Sequence, residues 1–518
     1  MRNISPPAPG RYSHYVLGVL VLVYIFNFLD RQIISILAER IKADLDLSDA
    51  QIGFLYGTAF AIFYAVFGIP LGRLADVWDR RRLISIGLAF WSLMTALSGF
   101  ARSFTELAAA RIGVGVGEAS ATPAAFSMIT DYYPVARRAT VLAIYSSGIY
   151  LGAGLGLGIG GFIVDRWDAA WVGVAPPFGL RGWQVAYFAV GLPGLLLALW
   201  VATLREPVRG QMDGIATAPE PYPFRQFGRE LRSVIPPFTL FHLALAGVGS
   251  RGLAMNVLAA AGITIGGLLL TAALGTPAQW IALGIGVYAA VSWGQALRLR
   301  DRVSFELIFR TPTIRYAALG FAFLAFTGYG FGFWTAPFFL RKHRISAAEA
   351  GLVLGGIAAV SGWIGVMLGG ILADRLRHTS VNGRLYIGMA TALLPAPLAV
   401  MMVTTDNLAL AYALNAPLAV MSAMWIGPGA STITDLVLPR MRGSASAGYL
   451  LVVTFVGLAM GPYTIGTLSV LFGSLETALL ASLLAGAVSF TLLLLASRHI
   501  ARDEATLLDR ARAAGERL

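Results

Sequence analysis

The sequence predicts an all-α polytopic membrane protein: two six-helix bundles related by a pseudo-two-fold axis, with a two-helix hairpin inserted between them, fourteen spans in all. Three observations carry this expectation. Of 518 residues, 57% are hydrophobic and only 13% charged, and the mean hydropathy is +0.71, far too apolar for a soluble globular chain. Runs of about 20 apolar residues, the length that crosses a bilayer, follow one another along the chain. Short signatures also recur in the same order in the two halves. Gly72-Arg-Leu-Ala-Asp76 matches Gly370-Ile-Leu-Ala-Asp374 at an offset of 298, and Ile129-Thr-Asp131 matches Ile433-Thr-Asp435 at 304, as a duplicated unit requires.

The first six spans are expected near 14–38, 51–71, 83–101, 106–130, 139–164 and 183–204, making residues 1–204 an N-terminal bundle. The opening run lacks a small-x-small cleavage pattern and resumes after Asp30-Arg31-Gln32, so it reads as a span rather than a signal peptide. Residues 205–235 are polar and contain the proline-rich stretch Pro219 to Pro223, which reads as a linker outside the bilayer. An inserted hairpin is expected over 236–298, with spans near 252–274 and 278–297 joined at Gly275-Thr-Pro277. Residues 299–313 alternate arginines with Phe305, Leu307 and Ile308 and suit a helix on the membrane surface. A C-terminal bundle over 314–499 has spans near 314–340, 347–372, 384–404, 407–436, 443–472 and 475–497, and 500–518 form a tail.

A net charge of +12 would suggest nucleic acid in a soluble protein. Here the Lys and Arg concentrate in loops on the side of both termini, so they encode topology, with termini, linker and tail cytoplasmic in a bacterial inner membrane. There is no cysteine, which excludes disulfides and thiolate chemistry. The five histidines are scattered and none is mid-span, which argues against a metal centre or a His base. Gly156-x-Gly158-x-x-Gly161 matches a dinucleotide fingerprint only formally, because no strand precedes it. No cofactor and no nucleic acid is expected; the partners are protons, membrane lipids and a lipid-like substrate, and the chain reads as a monomer.

Charged residues inside spans are the chemically informative ones, since each costs at least about 2.5 to 3.5 kcal/mol there. Arg111 and Glu118 lie seven apart, two helical turns, so they share a face, and the glycines between them thin the helix. Asp30 should lie about 12 Å and Arg111 about 8 Å below the outer surface, within reach of one another, with Glu118 about 10 Å deeper. On this geometry Arg111 is the partner of Asp30, and Glu118 is the proton carrier that both of them gate. Asn27 and Arg31 flank Asp30 on the first span. In the second half, Tyr329, Phe333 and Trp334 and, further on, Met424 and Trp425 offer an aromatic and Met surface for an apolar tail. Gly148, Gly152, Gly156 and Gly160 form a strict i, i+4 ladder, and glycines from Gly351 to Gly369 recur along the matching helix, as suits helices that press closely.

These motifs resemble the major facilitator superfamily. Gly72-x-x-x-Asp76-x-x-x-Arg80-Arg81 is similar to its first signature, with Val77 and Asp79 departing from it; Gly370-x-x-x-Asp374-Arg375 is a second copy, and Arg111-x-x-x-Gly115-x-Gly117 resembles the signature associated with proton coupling. Asn27-Phe-Leu-Asp30-Arg31-Gln32, Gly115-x-Gly117-Glu118-Ala119, Arg205-Glu-Pro-x-Arg209-Gly210 and Trp334-x-x-Pro337 resemble the spinster branch. The resemblance implies proton-coupled transport of lysophospholipids or sphingosine-1-phosphate-like lipids by alternating access, with Asp30, Arg111 and Glu118 as its working polar residues. It also implies that Gly72, Asp76, Arg80, Arg81, Asp374 and Arg375 gate the inner side, Asp76 meeting the start of the helix near Gly443. A facilitator, or a transporter of a small organic anion or drug-like molecule, stays open on the same fold. An intramembrane lipid enzyme is disfavoured because no span supplies a His or Cys beside a nucleophile.

Overall fold

The computed structural model describes residues 10–213, 221–236, 238–245 and 247–516. Residues 214–220, Pro237 and Ala246 of the expected linker and hairpin, the first nine residues of the expected N-terminal bundle and the last two of the tail lie outside the described residues. Among those described, every regular element is a helix. The first half holds α1 (Arg11–Leu45), α2 (Asp49–Val77), α3 (Arg80–Ser98), α4 (Phe104–Glu118), α5 (Ala121–Tyr132), α6 (Val135–Ala170) and α7 (Gly182–Ala202). Then come α8 (Pro223–Val234), α9 (Phe238–Leu245), α10 (Ser250–Leu274), α11 (Pro277–Arg300) and α12 (Arg302–Arg310). The second half holds α13 (Pro312–His343), α14 (Ala347–Thr379), α15 (Gly383–Thr404), α16 (Leu408–Asp435), α17 (Pro439–Phe472) and α18 (Leu475–Ala505), followed by α19 (Leu507–Ala513).

Twelve of the described helices are long and apolar enough to cross a membrane, α10 and α11 among them. The expected third and fourth spans are not in that set. Helix α3 opens on Arg80, Arg81 and Arg82, and the expected fourth span is broken into α4 and α5 at Ala119-Ser120. Pro123 causes the break: it has no N–H to offer the Ala119 carbonyl four residues back, and the Ser120 hydroxyl donates instead to the Gly117 carbonyl (2.8 Å). The duplication repeats this feature. Helix α16 is interrupted at Met424-Trp425, where Pro428 stands in the same relation to Met424.

Two compact units emerge from the packing, and they do not follow the duplication. One comprises Met1–Asp46, Val66–Leu231 and Ile345–Ala359; the other Leu47–Ala65, Arg232–Arg344 and Val360–Leu518. In the first unit the glycine ladder of α6 seats α1. A Cβ on Gly152 would lie 2.3 Å from the Ile25 carbonyl oxygen and one on Gly156 2.8 Å from that of Leu29. Further along α6, Gly154 faces Gly355 and Leu157 faces Gly351 across backbone distances that admit no side chain. The ladder therefore serves one neighbour and the glycines between its rungs another. Gly152→Ala should destabilise the protein by about 1 to 3 kcal/mol through overpacking, whereas Gly18→Ala, with nothing within 4 Å of its Cβ, should be silent; thermal unfolding in detergent checks both.

In the second unit the first half of α2 packs on α17. Gly53 and Gly57 lie against the carbonyls of Pro462 and Leu458, and Asp49 binds Arg341 through two bonds of 2.7 Å and accepts the Ser469 hydroxyl at 2.7 Å. A π-helical stretch, Val453–Ala459, interrupts α17, and the Thr58 hydroxyl caps its Ala459 carbonyl at 2.9 Å. Helix α12 forms where the sequence places an amphipathic segment, with Leu307 and Ile308 buried against Leu297 and Ile314.

Candidate functional site

Five polar residues converge inside the first unit at the level of the α4–α5 break. Asp30, Arg111 and Glu118 are fully buried, and Asn27 and Arg31 nearly so. Helix α1 carries Asn27, Asp30 and Arg31; α4 carries Arg111 and Glu118, the latter as its last residue. The approach of α4 to α3 is set by glycine: a Cβ on Gly117 would lie 2.8 Å from that of Trp91, and one on Gly113 would strike Met94.

Depth along the helices pairs Arg111 with Asp30 and names no other cation for Glu118. Arg31, not Arg111, takes Glu118, its Nη2 donating to Oε2 at 2.8 Å. The same nitrogen lies 3.5 Å from the Asn27 amide oxygen, and the guanidinium sits 4.5 Å over the Phe28 ring. Arg111 does lie against Asp30, but Nη1 donates to its backbone carbonyl oxygen at 3.3 Å. The reason is reach: the long Arg31 side chain swings away from its neighbour Asp30 along α1 and meets the end of α4.

That leaves the Asp30 carboxyl unusual. Trp91 and Thr95 of α3 approach it as hydrogen-bond donors, yet the geometry of these contacts is too poor to close a hydrogen bond to either carboxyl oxygen. Tyr187 of α7, fully buried, borders both Arg111 and Asp30. A buried carboxylate without closed bonds is costly, and its neutral acid form is much less so. Sequence reasoning missed Trp91, Thr95 and Tyr187; an aromatic or Thr on a membrane helix is too common for spacing to single out.

The candidate gating residues form a second cluster. Arg80 is fully buried and donates to Glu206 (2.7 Å), Ser127 Oγ (2.9 Å) and the Pro207 carbonyl (2.9 Å), and pairs with Asp131. The Arg81 backbone N–H donates to Glu206 at 3.0 Å and its side chain to the Leu204 carbonyl at 2.9 Å. Asp79, where the family signature has glycine, caps α3 by accepting the Arg82 N–H at 2.9 Å. The Arg205-to-Gly210 motif closes the cluster: Arg209 donates to the Ala75 carbonyl at 2.8 Å, and the Gly210 N–H donates to Asp131 at 2.9 Å. Gly210 has φ 71°, which favours glycine there. Burial, with Arg80 adding to it, pulls the Arg209 guanidinium below its ordinary value.

The second unit repeats the arrangement. Arg384 pairs with Asp435 and lies 3.4 Å from the Ser431 carbonyl, so Arg80, Ser127 and Asp131 recur at Arg384, Ser431 and Asp435. Asp374 is exposed and 3.9 Å from Arg384; Asp76 is exposed and 3.7 Å from Arg73 on its own helix. Gly72 has open space around its Cβ position, and Arg375 is exposed. The sequence repeats had matched Asp374 to Asp76 and Asp435 to Asp131 but not Arg384 to Arg80, because Arg384 lies at the start of the next helix.

Of the expected apolar surface, Phe333 and Trp334 prove to be buried in packing. Phe333 stacks on Tyr56 at 4.4 Å, and Trp334 donates its indole N–H to the Pro462 carbonyl at 2.8 Å. Trp425 packs toward Phe321 in the core. Tyr329 and Met424 are half-buried. Residues at 333 and 334 point in two directions a helical turn cannot both expose once α2 and α17 close on α13.

Residues 20–462 match the model of the Major Facilitator Superfamily. The chain belongs to the major facilitator superfamily. It is 27% identical over 466 residues to an MFS-type efflux pump of Mycolicibacterium smegmatis, covering 89% of this chain and 85% of that one. It is 25% identical over 494 residues to protein spinster homolog 1 of Homo sapiens, covering 90% and 75%. The crystal structure of a bacterial homolog to the human lysosomal transporter spinster, in an inward-facing and occupied conformation, superposes with a TM-score of 0.70 at 26% identity, covering 95% of this chain and 98% of that one. This major facilitator protein thus resembles the spinster-like branch, and it is a multi-pass membrane transporter rather than an enzyme.

Proposed function

We propose that this major facilitator protein is a proton-coupled secondary transporter of an amphiphilic anion, a lysophospholipid or a sphingosine-1-phosphate-like lipid, working by alternating access. The observation that carries the reading is the buried set of two carboxylates and two guanidiniums inside an apolar unit, with Asp30 lacking any closed hydrogen bond. Intramembrane ionisable residues facing a bundle interior mark substrate or proton pathways. Since Arg31 engages Glu118, the proton passes to Asp30, and Arg111 is the cation that senses its charge. Arg31, Asn27 and Glu118 form the polar end of the head-group site. Tyr329 and Met424 are the better exposed candidates for apolar contact, and exposed Asp76, Asp374 and Arg375 keep the gating role.

Coupling then follows from linkage. A proton on Asp30 weakens its hold on Arg111, and a substrate anion competes for the same guanidinium, so each ligand biases one two-state equilibrium. Purified protein in liposomes should accumulate a labelled lysophospholipid under an imposed pH gradient, and an ionophore should abolish accumulation; equal uptake with and without the gradient would leave a facilitator. Similarity to a mycobacterial efflux pump favours a second reading, a drug-like or small organic anion as cargo, and such a compound in the same assay separates the two.

The topology we propose has fourteen spans, counting α3, the α4–α5 pair and both hairpin helices, in a monomer of the bacterial inner membrane. Reporter fusions at Gly210, Arg300 and the C-terminus should read cytoplasmic, and one at Gly275 external. A cytoplasmic signal at Gly275 would mean that the hairpin does not span.

A further inference from the structure

Helices α10 and α11 enclose a groove of about 480 Å³ that the transport reading does not use. Its walls recur every three or four residues, from Ala260 through Gly267 to Thr271 on α10 and from Pro277 through Gly284 to Tyr288 on α11. Each wall runs over twelve residues, a rise of about 16 Å at 1.5 Å per residue, close to the ~15 Å of hydrocarbon in one leaflet. The two helices meet where Gly284 faces the Ile263 side chain and where a Cβ on Gly267 would come into ordinary contact with Trp280 at 3.9 Å.

One end of the groove is sealed. Helix α9 abuts it, where Thr239 donates to the Tyr288 hydroxyl at 2.9 Å and Tyr288 donates to Asn256 at 2.6 Å. The Asn256 amide in turn bonds Ser292 at 3.0 Å and Gln295 at 2.8 Å. The other end lies at the Gly275–Pro277 turn. Polar groups along the wall are engaged within the protein: Thr271 donates to the Gly267 carbonyl at 2.8 Å and Trp280 to the Gly275 carbonyl at 3.1 Å. Apart from the Thr264 hydroxyl, an occupant meets hydrocarbon. Helix α10 has no buried residue in its most apolar stretch, so it is bathed by what surrounds the protein.

We propose that this groove is a lipid-binding site that holds one acyl chain of a bilayer phospholipid, entering from the leaflet on the side of Gly275 and ending at the Tyr288–Asn256 seal. The wall's chemistry selects a chain rather than a head group, because it presents no charge to a phosphate and a single hydroxyl, that of Thr264, as a donor. Its length selects a single leaflet's chain, and the seal sets where that chain stops. The site rests on the hairpin spanning the bilayer, which the reporter at Gly275 tests separately, and it is independent of what the protein transports.

The protein is reconstituted into phosphatidylcholine vesicles doped with phosphatidylcholine bearing a diazirine near the acyl terminus, photolysed, and mapped by peptide mass spectrometry. Label should concentrate on 260–271 and 277–288 several-fold above the opposite face of α10, which carries Leu258 and Leu269. Gly267→Phe, which projects a ring into the groove, should remove most of that label, while Leu269→Phe should not; both should elute and melt like the parent protein. Equal labelling of the two faces, or unchanged labelling in Gly267→Phe, overturns the site. Because the chain has no cysteine, Leu268→Cys reports the competing occupant: disulfide-linked dimers with no acyl label in the groove would mean that a second copy fills it, and would also overturn the proposal.

Discussion

Asp30→Asn should abolish proton-driven accumulation of substrate while leaving counterflow exchange close to the parent rate. The asparagine keeps the shape of the neutral acid and cannot ionise, so it holds the unit in its protonated form. Asp30 is fully buried with no closed hydrogen bond, so neutralising it removes little packing and only its electrostatic pull on Arg111. Glu118→Gln is expected to behave differently. It removes the partner of nearly buried Arg31, and stranding one member of a buried pair costs about 3 to 5 kcal/mol; substrate binding and thermal stability should both fall. Uptake under an imposed pH gradient, measured beside counterflow in the same liposomes, separates the two. Should Asp30→Asn still concentrate substrate using protons alone, the carrier is elsewhere, and Glu118 becomes the first candidate.

Arg80→Ala should destabilise the protein by about 3 to 5 kcal/mol, since it leaves Asp131 and the largely buried Glu206 without their cation. It also frees the Pro207 carbonyl and loosens the Arg205-to-Gly210 turn from the end of α2. The pseudo-equivalent Arg384→Ala should cost under about 1 kcal/mol, because Asp435 is more than a third exposed and solvent screens the pair. Thermal melts of the two variants in one detergent give the comparison. An Arg384 variant as damaged as the Arg80 variant would show that burial does not set the difference. The duplicated signature is therefore expected to be structurally unequal in its two copies, with the tight copy in the first unit.

How much was readable beforehand follows from which signals are local. Membrane-spanning runs, the duplication at offsets near 300 and the identity of Asp30, Arg111 and Glu118 as costly intramembrane charges all lie in the linear chain, since hydropathy and spacing report them directly. The helix break at Ala119-Ser120 was legible too, through Pro123 and its missing N–H, although the expected span ran through it. Who pairs with whom was not legible. Arg31 reaches Glu118 because of how α1 and α4 are rotated about their axes, a quantity fixed by the glycine seats of α6 on α1 and of α4 on α3 rather than by depth along either helix.

The same holds for the two compact units. Sequence alone determined a duplicated, all-helical membrane chain with polar residues concentrated in its first half. Only the tertiary structure decided that Leu47–Ala65 packs with α17 and Ile345–Ala359 with α6, because glycine marks where backbones are able to touch but not which backbone arrives. It also decided that Phe333 and Trp334 are buried in packing, that Trp91, Thr95 and Tyr187 surround Asp30, and that α10 and α11 leave a groove between them. Each depends on side chains distant in sequence meeting in a low-dielectric interior, where closed hydrogen bonds and close packing, not pattern, set the geometry.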